Sequence, residues 1–146
     1  ETMFEEKVKT WLEKNGFDNL DVIDDNAFVY DIEEQTIYLG VVSTSEGQWF
    51  EQFMYEYGLE YTGILPEVLA FIHELGHHCT INRFNEDDFV HDSQSKAFVD
   101  FMAYSYKRMS YYWELPIEFA ANMWAVDFIN NNIAAVEELC NMWEVC

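Results

Sequence analysis

Apolar residues Phe4, Val8, Trp11 and Leu12 recur at helical spacing near the start of the chain, and Gly16 stands where such a helix would end. The polar, acidic stretch 19–26 reads as a loop or short turn. Residues 27–32 and 36–42 are rich in β-formers and predict two strands, with Glu33, Glu34 and Gln35 joining them as a hairpin. Ser45 followed by Gln48 resembles a capping box, opening a helix whose apolar side carries Trp49, Phe50, Phe53, Met54 and Tyr57. The stretch 58–63, with glycine at both ends, breaks that pattern.

Pro66 suits the first turn of a helix running through Val68, Leu69, Phe71, Ile72 and Leu75. A polar loop is expected over residues 82–91, and Asp92 or Ser93 can cap a further helix through Phe98, Phe101 and Met102. After the aromatic run Tyr111-Tyr112-Trp113, Pro116 opens a long helix reaching about Asn130. Residues 133–143 form the last one. No repeat, low-complexity tract or dividing linker interrupts residues 1–146. The pattern therefore predicts one mostly helical α+β domain with a small antiparallel or mixed sheet of two to three strands.

Composition narrows the function. The chain has 146 residues, half of them apolar, which is enough for a modest core. Its 28 Asp and Glu against 7 Lys and Arg give a net charge of -21. Such a surface repels phosphate backbones, so direct nucleic-acid binding is not expected; it suits solubility or a basic partner. No apolar window is long enough for a membrane span and no signal peptide is evident, so a cytoplasmic, membrane-free protein is expected. Cys79, Cys140 and Cys146 are widely spaced and read as reduced thiols rather than a disulfide framework.

The informative segment is His73-Glu74-Leu75-Gly76-His77. It holds, with His78, three of the four histidines in the chain. Residues four apart share a helix face, so His73 and His77 can offer two imidazole nitrogens to one ion. Glu74 projects beside them, where its carboxylate can act as general base on a water. Zn²⁺ suits this set because it takes two imidazoles and a carboxylate and leaves one position open. Gly76 costs about 1 kcal/mol of helix propensity but lets another backbone or a substrate approach closely.

A third ligand is required. His78 faces roughly 100° away around the helix. Glu118 is the better candidate, in the first turn of the helix opened by Pro116, where the helix N-terminus favours its ionised form. His91 is the alternative. Asn122, one turn beyond Glu118, could hydrogen-bond a ligand. Tyr111, Tyr112, His78 and His91 are candidates by type for stabilising an oxyanion.

The stretch HELGHH, taken with Glu118-Phe119-Ala120-Ala121-Asn122-Met123-Trp124-Ala125, resembles the ImmA/IrrE group of gluzincin-like metallopeptidases, common in phages and mobile elements. That resemblance implies a zincin-like fold, His73, His77 and Glu118 as zinc ligands, and Glu74 as catalytic base. It also implies that Ala121 and Ala125 let their helix pack closely on the HExxH helix, and that two or three strands precede the motif. Members typically cleave a repressor or another regulatory protein. The separation of His77 from Glu118 exceeds the family's usual one, consistent with an inserted helix around residues 92–109, and no helix-turn-helix is seen.

The leading expectation is zinc-dependent hydrolysis of a peptide bond in a protein substrate or regulatory partner. The competing one is a non-catalytic acidic zincin-fold protein that binds a basic or nucleic-acid-binding partner. A structural zinc site is disfavoured, because it would leave Glu74 without a task.

Overall fold

The computed structural model describes residues 1–102 and 105–145. Helix α1 (Met3–Lys14) opens on a capping box: Glu5 N–H donates to Thr2 Oγ1 at 3.1 Å and Thr2 N–H to Glu5 Oε1 at 2.8 Å. It closes through Gly16 at φ 90°, where the Phe17 N–H reaches the Leu12 carbonyl at 2.8 Å. Val8, Trp11 and Leu12 are its fully buried face, as their spacing predicts. The Trp11 indole N–H also donates to the Ala135 carbonyl at 2.9 Å, tying the first helix to the last.

Three short strands follow: β1 (Asp21–Asp24), β2 (Val29–Asp31) and β3 (Thr36–Leu39). Their order is β1-β3-β2, with β2 antiparallel and β1 parallel to β3. The expected hairpin is therefore present, though both strands are shorter than the sequence suggests. Strand β1 corrects the reading of residues 19–26 as a loop. Only Val22 of its four residues is buried, so apolar patterning carries little signal there. Its placement comes from elsewhere: the Asp24 N–H donates to Glu5 Oε2 at 2.6 Å, and Lys9 pairs with Asp21 at 2.5 Å.

Helix α2 (Thr44–Glu56) is capped by Ser43, whose Oγ accepts from the Glu46 N–H at 3.2 Å, rather than by the expected Ser45. Helix α3 (Pro66–Thr80) starts on its proline as predicted and runs into a short 3-10 turn (Ile81–Arg83). Next comes α4 (Glu86–Val99), which begins inside the expected loop. Asn85 and Asp88 form a reciprocal capping box, at 3.0 and 2.9 Å, and Glu86, Asp87 and Asp88 suit the positive end of the helix dipole. Asp92 is thus mid-helix rather than a cap, and Phe101 and Met102 lie beyond the helix end.

Helix α5 (Tyr106–Trp113), then α6 (Pro116–Asn131) and α7 (Ile133–Val145) complete the chain. Two helices, α4 and α5, separate the two motifs, where the resemblance implies a single helix around residues 92–109. Apolar side chains of α1, the sheet, α2, α3, α6 and α7 share one core cluster. At its centre α3 and α6 pack together, and Gly76 permits the approach: a Cβ there would stand 3.1 Å from Ala121 Cα. Ala121 and Ala125 are fully buried. The result is a mostly helical α+β fold with a three-stranded mixed sheet, matching a zincin-like architecture. Among the described residues no helix is long and apolar enough to cross a membrane.

Candidate metal centre

The close seam between α3 and α6 brings the two motifs into contact. His73 and His77 stand one turn apart on α3, both buried, with ring centroids 4.7 Å apart. Glu118 sits opposite them in the first turn of α6 and is 2 % exposed. Its Oε1 lies 2.9 Å from His73 Nε2 and 3.1 Å from His77 Nε2. Asn122 follows one turn later, and its Oδ1 lies 2.7 Å from His73 Nδ1. An amide oxygen can only accept, so Nδ1 carries the hydrogen and Nε2 is the nitrogen aimed at Glu118.

That arrangement is electrostatically incomplete by itself. A neutral His73 would place a nitrogen lone pair against a carboxylate oxygen, so a proton or a cation must lie between them. Burial disfavours an imidazolium at His73, but the Glu118 carboxylate, Glu74 and Asn122 together hold its pKa above the ordinary value. Burial would likewise favour the neutral acid at Glu118; the hydrogen bonds to His73 and His77 override it and keep the carboxyl well below its usual range. Tetrahedral ligands around one zinc ion stand roughly 3.3 Å apart, so the two separations between Glu118 Oε1 and the histidines need to open by only a few tenths of an ångström to accept one.

Glu74 is the third member of a compact cluster: single ligand atoms of His73, Glu74 and His77 lie within 4.8 Å of one another, a geometry compatible with metal coordination. Its Oε2 is 3.9 Å from His73 Nε2. Burial raises its pKa, against the opposing pull of His73 and His77. Phe50 stands perpendicular to the His73 ring at a centroid distance of 5.4 Å and closes one side of the site.

Two cavities of about 250 and 230 Å³ meet at this cluster and share Phe28, Glu74 and Tyr112. The first runs past His77, between β2 and α4. The second runs past His73 over Phe50, Ala70 and Trp113. Glu74 is thus reached from both sides, while Glu118 forms part of the first wall.

The other candidates fall into place around this centre. His91 is exposed on α4, with Ser95 as its hydrogen-bonding neighbour at 3.3 Å, away from the cluster. His78 points to Tyr30 of β2, whose hydroxyl is 2.9 Å from its Nδ1. Tyr111 is exposed, whereas Tyr112 lines both cavities. Cys79 is outside the cluster, and burial pushes its thiol up to about 11.

Sequence reasoning missed Lys96 and gave Asp92 the wrong task. Lys96 Nζ donates to Glu118 Oε2 at 2.7 Å and pairs with Asp92 Oδ2 at 2.9 Å. The signal for the pair is the i,i+4 spacing of Asp92 and Lys96, concealed by a sequence pattern that puts the helix start at Asp92 or Ser93 instead of Glu86. No family model matches the chain, and no curated protein or solved structure matches it either.

Proposed function

We propose that this chain is a zinc-dependent hydrolase of a peptide bond in a protein partner. The observation that carries the reading is the convergence of two buried imidazole nitrogens on one oxygen of Glu118, with a second carboxylate, Glu74, beside them at the junction of two open cavities. His73, His77 and Glu118 would hold the ion. When bound, zinc supplies Lewis-acid polarisation and lowers the pKa of water toward ~7.

The chain's own residues then divide the work. Asn122 fixes the His73 tautomer, so that Nε2 is the coordinating nitrogen. Glu74 takes the proton of the attacking water and returns it to the leaving amine nitrogen; its raised pKa suits a group that must both accept and donate. Among the donor candidates Tyr112 is the best situated for the developing oxyanion, because it lines both cavities next to Glu74. Phe50 and the α3–α6 contact cover the sides of the ligand set that face the core, while the two cavities leave Glu74 open to water and substrate.

The test begins with elemental analysis. One equivalent of zinc, lost or weakened in His73→Ala and Glu118→Ala, is expected. Glu74→Gln should keep the zinc yet lose cleavage of the partner by about 10²-fold or more. A binding protein of the acidic, non-catalytic kind would keep its effect in Glu74→Gln. A wild-type protein that takes up no zinc would sink the peptidase reading.

A further inference from the structure

Every cation in this chain is scarce, since 28 acids face only 7 Lys and Arg. One of the seven is directed at the candidate centre. Lys96 is the single basic Lys or Arg side chain lining the cavity between β2 and α4, among the described residues, and it shares that cavity with the carboxylates of Glu74, Asp92 and Glu118. Its ammonium sits between Asp92 Oδ2 at 2.9 Å and Glu118 Oε2 at 2.7 Å, and 5.3 Å from the centre of the Tyr112 ring.

The two oxygens of Glu118 therefore have different partners. Oε1 faces the two histidines, while Oε2 is occupied by Lys96. A carboxylate with both oxygens free can chelate an ion through both, and so fill the position a water or substrate carbonyl needs. Resting on the metal reading above, we propose that Lys96, oriented by Asp92, is a positioning residue that reserves Oε2 and leaves Glu118 a one-oxygen ligand, keeping the fourth coordination position open.

Three observations support a positioning role over a stabilising one. Asp92 is 7 % exposed, and its Oδ1 is buried without a hydrogen-bond partner among the described residues, a cost that packing alone would not favour. Asp92 and Lys96 are one helical turn apart, so the backbone of α4 sets the direction of the ammonium. The charges also close: a divalent ion and Lys96 together balance Glu74, Asp92 and Glu118.

Cobalt substitution tests the clamp without an activity assay. Co²⁺ is titrated into metal-free, full-length protein, and the visible d–d absorption reports coordination number. Wild type should give the intense bands of a four-coordinate ion. In Lys96→Met, Oε2 is released, coordination rises, and the intensity should fall at least about twofold with cobalt still bound. Lys96→Arg, which keeps charge and donors, should restore the wild-type bands. Asp92→Asn should shift the spectrum in the same direction as Lys96→Met, and it carries the test should that variant fail to fold. A Lys96→Met or Asp92→Asn protein that binds cobalt with the wild-type spectrum overturns the clamp; in that case the lysine merely neutralises Glu118 until an ion displaces it. Wild type that takes up no cobalt fails at the metal reading instead and removes the clamp with it.

Discussion

Replacing Gly76 by alanine sets two effects of opposite sign against each other. In an isolated helix the change stabilises by about 1 kcal/mol, because glycine has the higher backbone entropy to lose. In this fold the new Cβ would stand 3.1 Å from both Cα and the carbonyl carbon of Ala121, with the carbonyl oxygen closer still. Carbon contacts are comfortable at ~3.5–4.0 Å, so α6 must withdraw by roughly half an ångström or more. The obstacle is backbone, which cannot rotate away as a side chain tip could. Overpacking of this kind costs about 1–3 kcal/mol, which equals or exceeds the propensity gain. The net cost of about 0–2 kcal/mol lowers the expected melting temperature by up to about 8 °C, at about 2–4 °C per kcal/mol for a chain of this size.

The same displacement reaches the centre, since Glu118 and Asn122 flank Ala121 on α6 and their bonds to His73 are 2.9 and 2.7 Å long. Metal–ligand distances tolerate only about 0.2 Å, so zinc affinity, measured by competition with a chromophoric chelator, should fall by roughly tenfold or more. A Gly76→Ala protein that melts higher and binds zinc as wild type does would refute the claim that backbone approach at this residue builds the site.

Asn122→Ala frees the His73 ring to take either tautomer, and zinc affinity should drop about 10–100-fold; an unchanged value in the same competition assay would remove Asn122 from the centre. In metal-free protein the Glu118 carboxyl, held well below 4.5, contributes stability that is present above about that pH and is lost as the pH falls through its folded value. His73, raised above 6.5, contributes stability that is complete below that pH and is lost as the pH rises through its folded value. Urea midpoints of the metal-free protein should hence peak between these limits, and a maximum well on the alkaline side would contradict the pairing. Cys79, with its thiol near 11, should alkylate at pH 8 on the order of a hundredfold slower than an unperturbed cysteine, as read by mass spectrometry of its peptide.

The parts of the fold that were legible in the sequence are those where apolar spacing and helix punctuation agree. Pro66 and Pro116 mark true first turns, and the periodic residues of α1 and α3 are the buried ones. The HExxH spacing and Glu118 pointed to side chains that do converge, because four-residue spacing and a helix first turn are local geometry. What was not legible depended on contacts distant in sequence. Strand β1 is held by Glu5 and Lys9 of α1 rather than by its own apolar pattern. The start of α4 was concealed by an aspartate in the capping-box position usually read for glutamate or glutamine, within an acidic run that resembles a loop.

That failure has a physical meaning for the site. Helix α3 buries every residue from Val68 to His73, and α6 meets it along a seam too tight for a methyl group at Gly76. The half of the site that holds the histidines and Glu118 is accordingly built into the core. Helix α4 buries only Asp92 and Val99, while Val90 and Phe98 are exposed. Its attachment to the rest of the fold at the centre is polar, through Lys96 to Glu118, so a change in the charge on Glu118 is felt directly by α4. Binding of a divalent ion to Glu118 Oε1 would weaken the pull of Oε2 on the ammonium without removing it, and the cavity wall formed by Phe89, Asp92 and Lys96 would respond as a unit because one helix carries all three. The buried half thus fixes where an ion would sit, and the more exposed helix α4 lines the space beside it.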